Sequence, residues 1–532
     1  MPGLKLTSLQ AVYAPLNSIH WHTRMHLTRP GRLLLLGVLG LTGCVRLGPD
    51  FQSPKQPWID QWKSPALDHS SQRASDPDLQ RWWQVFGDPV LDRLIADADA
   101  NNSDLKIAGL RVMEARAQLG IALSGRYPQV QQASADSLYV NRRQFGGNNP
   151  QDAHFWQYSA GFDVGWELDF WGRFSRAIES ADAGYFATQA NYEDVLVLLR
   201  AQVADTYFSL RTTEARLRVA QANAKQQKRN FEITEKLFTS GQQAELDLQQ
   251  ARTQYLGTLS TIPNFEDQVL RLRNALAALI GQPPGALPQL LENQGLIPLV
   301  DRAVLQDVPA NLLLRRPDVR AAELDVAAQS ALIGVAETDF YPSLTLLGSI
   351  VWSADTLNGT SRNLDFVGGP SLRWNLFDHG QISNNVRVQD ARLQQLIEAY
   401  RDKVRQAARE ADDAASGLIK SLERERILRE AEVAAKRSLV LADAQYLEGY
   451  SDFQRVLDAQ RALLEQQDNY LVSRSNAVSN LIALYKALGG GWYSPQPKVD
   501  AATREQMEQR TDWGDLLAEP RPAQVKKVES HE

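Results

Sequence analysis

A single cysteine, Cys44, stands among the 532 residues, so no intramolecular disulfide frames the fold and no C-x-x-C redox or zinc motif exists. Neither H-E-x-x-H nor G-x-x-x-x-G-K-[ST] occurs, which leaves zinc hydrolysis and nucleotide turnover without a motif. The seven histidines are scattered, and His20, His22 and His26 all precede one short apolar stretch near the N-terminus. No convergent acid, base, nucleophile or metal set is visible, so no enzyme activity, cofactor or metal site is expected. The formal charge is −6 and no basic block is present, so nucleic acid is not an expected partner. No apolar run reaches the ~20 residues of a spanning helix. Any membrane crossing must therefore be made by strands.

The short apolar stretch is "RLLLLGVLGLTGC", ending at Cys44. Basic residues Arg24, Arg29 and Arg32 precede an apolar core of about nine residues and then small residues, the layout of a signal peptide over 1–43. Leu41-Thr42-Gly43-Cys44 resembles the bacterial lipobox, which implies cleavage before Cys44 and lipidation of its thiol. Val45 and Arg46 follow where aspartate would retain the chain at the inner membrane; by the same resemblance this implies sorting to the outer membrane. Met25 is an alternative start to Met1.

Residues 155–169 alternate strictly. Trp156, Tyr158, Ala160, Phe162, Val164, Trp166 and Leu168 fall on one face, and Gln157, Ser159, Gly161, Asp163, Gly165, Glu167 and Asp169 on the other. A period of two is a strand signal. A half-buried strand of a soluble sheet would alternate likewise, but this one exceeds the usual ~5–6 residues. Its apolar face ends in aromatics, as in a transmembrane β-barrel strand with an interfacial girdle. Val130–Arg142 is the expected hairpin partner across "QFGGNNPQDAH". A second hairpin carries Leu344, Leu346, Ile350 and Trp352 on one arm, and Phe366, Leu372, Trp374 and Leu376 on the other.

"WELDFWGR" at 166–173 and "WNLFDHGQ" at 374–381 lie 208 residues apart, as do Gly241 and Gly449, and Gly281 and Gly489. Upstream, Asp104 and Asp318, and Tyr127 and Tyr341, lie 214 apart. Two consistent offsets on either side of one length change indicate tandem duplication of a unit of about 200 residues, not a short-period solenoid. The unit reads helix, β-hairpin, very long helix, turn, helix. No proline interrupts 174–238 or 382–447, and ~65 helical residues span ~100 Å. Val404, Ala408, Ala411, Ala415, Leu418 and Leu422 trace a heptad seam, and Leu457, Leu464, Leu471, Val478 and Tyr485 recur every seven residues on the returning segment. Core-facing helices of an ordinary bundle would be far shorter. Pro263 is expected to kink or break the first returning helix. Asp169, Asp378, Gly172 and Gly380 suit the turn and helix start. Four strands cannot close a barrel, since the smallest type has about eight, and open edges in lipid leave backbone groups unpaired. Oligomerisation is required; dimers with eight strands and trimers with twelve both satisfy it.

Several segments carry a family resemblance: the lipobox at 41–44, "GPDF" at 48–51, "RWWQVFGDPVLDRLI" at 81–95, "WELDFWGR", "LLRRPDVRAAE" at 313–323, "VLDAQRALLEQQ" at 456–467 and "LIALYKALGGGW" at 481–492. In this order the chain resembles a TolC/OprM-type outer-membrane efflux factor of the NodT-like lipoprotein subgroup. The resemblance implies an α+β membrane protein: a trimeric β-barrel with four strands per chain, joined to a long α-helical coiled-coil tunnel that extends into the periplasm. The implied organisation is a signal peptide (1–43), a lipidated segment packing on the tunnel waist (44–87), a first repeat (88–285), a waist link (286–312), a second repeat (313–492) and a polar tail without full order (493–532). Implied partners are two sister chains, a periplasmic adaptor, an inner-membrane pump and outer-membrane lipid. Phe170, Trp171 and Phe377 are expected in the lower aromatic girdle. The tips at Thr239, Ser240, Gly241 and at Glu448, Gly449, Tyr450 are implied to dock the adaptor, with the glycines as helix C-caps. Asp452, Phe453, Gln454, Asp458 and Arg461 are implied gate residues, although a solvated helix face reads the same way. The implied function is a passive exit duct for drugs or other small solutes. Competing readings are the duct of a one-step protein or peptide secretion system, and a structural coiled-coil envelope lipoprotein.

Overall fold

The computed structural model describes residues 45–55, 67, 79–142, 153–285, 287, 290, 297–300, 310–355, 362–492 and 499–517. The chain divides into two units, Met1–Val45 and Arg46–Glu532, and all described strands and helices belong to the second. The signal peptide and Cys44 lie outside the described residues, as does most of the link between the halves. Among the described residues no helix is long and apolar enough to cross a membrane.

Four strands, β1 (Val130–Arg142), β2 (Ala153–Glu167), β3 (Ser343–Ala354) and β4 (Arg362–Arg373), form one antiparallel sheet in the order β1-β2-β3-β4. The two hairpins are thus joined through β2 and β3, where Phe162 pairs with Ile350 and Trp166 with Leu346. Directly opposed residues share a face. One face therefore gathers Tyr139, Trp156, Phe162, Trp166, Leu346, Ile350, Trp352, Leu364, Phe366 and Leu372. The other gathers Ser134, Asp136, Asp163, Glu167, Ser349, Asp365 and Ser371. The apolar face is uncovered: Trp156 is 50 % exposed, Phe366 69 %. Trp374 and Leu376 fall beyond β4, contrary to expectation, because the ladder ends where Arg373 meets Ser343, the first residue of β3.

The helices are α1 (Pro89–Asn101), α2 (Ser103–Ser124), α3 (Arg173–Thr239), α4 (Glu245–Leu279), α5 (Pro317–Glu337), α6 (Gln381–Leu447), α7 (Phe453–Ala487) and α8 (Ala501–Arg510). The long helices α3 and α6 have 67 residues each, and the returning α4 and α7 have 35 each. At 1.5 Å per residue the former run ~100 Å. Pro263 does not break α4. It is exposed, and so is Leu259, whose carbonyl loses the helical partner, so water can take that bond. The seam of α6 is broader than strict heptads: Val404, Ala411, Ala415 and Leu418 are fully buried, but Ala407 and Ala414 join them, a stripe fit for several neighbours. Small residues allow close approach there. A Cβ on Gly417 would stand 2.5 Å from Asn480 Oδ1 of α7.

The principal core lies midway along the long helices, the waist, where Trp82 stacks on Tyr485 (5.2 Å) and Phe86 meets Phe208 (4.7 Å). Asp88 caps α1 and accepts from Tyr207 Oη. Arg316 donates to both carboxylate oxygens of Asp318, to Glu410 and to the Ala487 carbonyl, tying α5, α6 and α7 together. Within 44–87, Leu67, Trp82 and Trp83 join the waist core, whereas the start of the segment lies toward the sheet. Leu47 and Gly48 lie beside the sheet end of α3: Leu47 N donates to Trp171 O, and the buried Arg176 donates to both carbonyls and to Asp50. Gly48 has φ +85°, and a Cβ there would meet Gly334 Cα at 2.4 Å, so only glycine fits. In the polar tail, 501–510 form α8. Asp500 caps it, Met507 and Leu517 are buried, and Arg116 of α2 donates to Leu516 O.

Candidate functional site

Where strand hands over to long helix, two carboxylates do one job from different sequence positions. Asp169 accepts from Phe174 N and Ser175 N (2.9 Å each) and from Ser175 Oγ. Asp378 accepts from Ile382 N (2.6 Å) and Gly380 N (3.2 Å). Phe174 and Ile382 each lie two residues past a glycine, Gly172 or Gly380, at φ +80° and +87°. The acid–aromatic order is reversed between the halves, but the same helical N–H is capped. Those backbone bonds hold the Asp378 carboxyl below its ordinary range. Trp171 Nε1 donates to Pro342 O while its ring stacks on Tyr341 (4.6 Å); Trp374 Nε1 donates to Phe340 O. Phe377 is 90 % exposed.

At the opposite end each long helix turns through one device. Gly241 N donates to Phe238 O and Gln242 N to Leu237 O; Gly449 N donates to Tyr446 O and Tyr450 N to Gln445 O. Both glycines have positive φ, +75° and +77°, which defines the Schellman cap. Nothing lies within 4 Å of a Cβ built on either, so conformation rather than crowding demands glycine. Thr239 and Ser240 donate to the carbonyls of Lys236 and Leu237, and Glu448 lies in the last turn. All six expected tip residues are exposed. The surface is more apolar than those six suggest, because Leu246, Leu447 and Tyr450 are 65 %, 73 % and 81 % exposed.

The five expected gate residues divide. Asp452 stands exposed at the α7 N-cap position without a side-chain capping bond. Phe453 is buried against Tyr446 (5.2 Å) in a small cluster with Leu439, Val456 and Leu457. Gln454, Asp458 and Arg461 form an exposed row: Gln454 Nε2 donates to Asp458 Oδ1 (2.9 Å), and Arg461 reaches the same oxygen at 3.6 Å. Arg461 Nε also donates to Gln254 Oε1 of α4, a member of the row that no motif marks. Such exposed pairs contribute about 0.3–0.5 kcal/mol. Among the described residues no group of side chains could hold a metal ion.

The outer membrane efflux protein profile matches residues 94–282 and 308–490. The probable outer membrane lipoprotein SilC of Salmonella typhimurium is 30 % identical over 85 % of this chain and 96 % of its own length. The pyoverdine export outer membrane protein OpmQ of Pseudomonas putida is 31 % identical over 88 % and 100 %. Among solved structures the outer-membrane channel OprN superposes with a TM-score of 0.77 at 32 % identity, covering 84 % of this chain and 99 % of its own. With matched segments spanning most of its length and relatives aligned nearly end to end, the chain belongs to the outer membrane efflux protein family.

Proposed function

We propose that three copies of the chain form the passive outer-membrane duct of a tripartite efflux system for small solutes, with the twelve strands closing one barrel and the long helices forming a periplasmic tunnel. The observation that carries this reading is the sheet: it presents an uncovered apolar face and two unpaired edges, β1 and β4. Edges cannot face lipid, and pairing β4 of one copy with β1 of the next removes all of them. The polar face, with Asp136, Asp163, Glu167 and Asp365, then lines the lumen. Internal duplication is supported by the paired 67- and 35-residue helices and by the two matched segments. The exposed apolar tips at Gly241 and Gly449 dock a periplasmic adaptor, which links the duct to an inner-membrane pump. Lipidated Cys44 adds a membrane anchor.

The test is conductance of the detergent-purified protein in planar bilayers, together with its mass in detergent and the drug and solute sensitivity of a deletion strain. A trimer mass, ion currents and raised sensitivity are expected; a monomer without conductance overturns the reading. Asp458→Asn is expected to raise resting conductance by loosening the Gln454–Asp458–Arg461 row, and unchanged currents would remove that row from the gate.

A further inference from the structure

Helices α2 and α3 pack side by side, and between them opens a groove of about 500 Å³ lined by Arg111 and Glu114 of α2 and by Asn191, Tyr192, Asp194 and Val195 of α3. Its direction follows from helical phase. Arg200, Tyr207 and Arg211 of α3 lie on the side covered by the segments around the waist, through bonds to Asp99, Asp88 and the Leu290 carbonyl. Asn191 precedes Arg200 by nine residues, which is two and a half turns. It therefore points the opposite way, and it is exposed. In the proposed duct that opposite side is the lumen wall.

The two walls of the groove carry opposite charges that the protein leaves unpaired. On the α2 wall Glu114 accepts from Gln118 Nε2 (3.1 Å), but among the described residues no hydrogen bond or ion pair engages Arg111. On the α3 wall no donor bonds the half-buried Asp194 either. Burial, and then neighbouring Asp318, raise its carboxyl to about 6; Glu410 adds to this, while Arg316 and Lys403 oppose it. An unpaired carboxylate held there costs stability at neutral pH, and such costs concentrate where a residue serves binding. Because Arg111 and Asp194 do not pair with each other, a ligand with one group of each sign can bridge the walls. Charge-assisted bonds are the strong ones, more so in a site partly removed from water. Tyr192 and Val195 supply apolar wall for the body of such a ligand, and the volume suits a molecule of drug size.

We propose that this groove is a binding station on the lumen wall for small zwitterionic solutes, with Asp194 holding the ammonium group of the solute and Arg111 its carboxylate. The placement on the lumen wall rests on reading the chain as a duct. The test is fluorescence titration of the detergent-purified full-length protein with three probes that share one fluorophore. Nε-dansyl-lysine carries both charges, dansylcadaverine lacks the carboxylate, and N-dansyl-6-aminohexanoate lacks the ammonium group. Saturable binding of dansyl-lysine is expected at neutral pH, with each singly charged probe about tenfold weaker or more. Asp194→Asn should weaken dansyl-lysine and dansylcadaverine but not the aminohexanoate; Arg111→Gln should weaken dansyl-lysine and the aminohexanoate but not dansylcadaverine. A merely structural role for either residue would move all three probes together. Dansyl-lysine binding should also weaken as pH falls below about 6, where Asp194 takes up a proton. Equal affinity for the three probes, no saturable binding, or dansyl-lysine affinity unchanged by either substitution overturns the proposal. Currents without binding sink the groove alone, whereas binding without currents sinks the duct reading and keeps the groove, so the two failures stay apart.

Discussion

Helices α3 and α6 have the same length and start and stop with the same devices, yet 24 residues of α3 are buried against 10 of α6. Three arginines account for much of the difference in role. Arg176 holds the Leu47 and Gly48 carbonyls, Arg200 holds Asp99 and the Gly491 carbonyl, and Arg211 holds Glu214 and the Leu290 carbonyl. Each thus fixes a stretch flanking the repeated part: the N-terminal arm, the end of the second half, and the link between halves. The positions 208 residues on are Asn384, Ala408 and Ile419, which cannot do this. Helix α3 receives the chain's own arms, whereas α6 keeps Val433, Val440 and Leu447 exposed at intervals of seven. In the proposed trimer that stripe is the side left for another copy. One backbone plan thus serves two roles because arginine stands at these three positions in the first half and not at their counterparts in the second.

The comparison breaks most severely at the returning helices. Pro263 of α4 corresponds in position to Leu471 of α7, but Pro263 is exposed while Leu471 packs against the waist core. Leu471→Pro should cost about 3 kcal/mol or more from the lost bond and the ring clash, with further loss from packing. Assembled protein should disappear from outer-membrane fractions on heat-sensitive gels. Pro263→Ala should instead stabilise by only about 1 kcal/mol, because the exposed Leu259 carbonyl is open to solvent. It should appear as a small rise in thermal midpoint.

The same contrast explains how much was legible beforehand. Strand limits at Val130–Arg142 and helix limits near Arg173 and Leu447 follow from local signals: period-two alternation, absence of proline, and glycine where φ must be positive. The capping acids were readable for the same reason. Pro263 misled because the cost of a helical proline depends on whether the orphaned carbonyl reaches water, which is a tertiary property. Phe453 could not be assigned a direction, since the partners of a helix face fix what it buries. The arginine clamps join residues from 79 to 291 apart and leave no periodic trace.

A second break is electrostatic. Asp194 of α3 is raised to about 6, chiefly by burial and then by neighbouring Asp318, against the opposing pull of Arg316 and Lys403. Its positional counterpart Asp402 is over half exposed and accepts from Gln406 (2.6 Å) and Arg405. A carboxyl raised on folding favours the folded state fully below its unfolded value near 4, and that contribution is lost as pH rises through about 6. Asp194→Asn should therefore stabilise the protein at pH 7.5 by up to about 3 kcal/mol, and the gain should fade as pH falls toward 4. Asp402→Asn should change stability by under about 0.5 kcal/mol at pH 7.5. Thermal unfolding in detergent at several pH values reads both.

The finest test concerns the two caps, where unlike sequences reach one solution. Asp169 caps through Phe174 N and Ser175 N, and Asp378 through Ile382 N and Gly380 N. If capping is the whole role of both acids, Asp169→Ala should cost about 1 kcal/mol, while Asp169→Asn, which keeps an oxygen for the Phe174 amide, should recover most of it. The depressed Asp378 carboxyl arises from backbone donors at the start of α6. Its contribution is therefore present above the unfolded carboxylate value and is lost as pH falls through the lower folded value. Asp378→Ala and the unsubstituted protein should then differ in stability at neutral pH and converge only in strong acid. Hydrogen exchange at the Ile382 amide, followed against pH, measures this directly. Convergence at neutral pH would mean that the α6 start is held by the glycine turn alone, and that the two halves solve their strand-to-helix junctions by different physics after all.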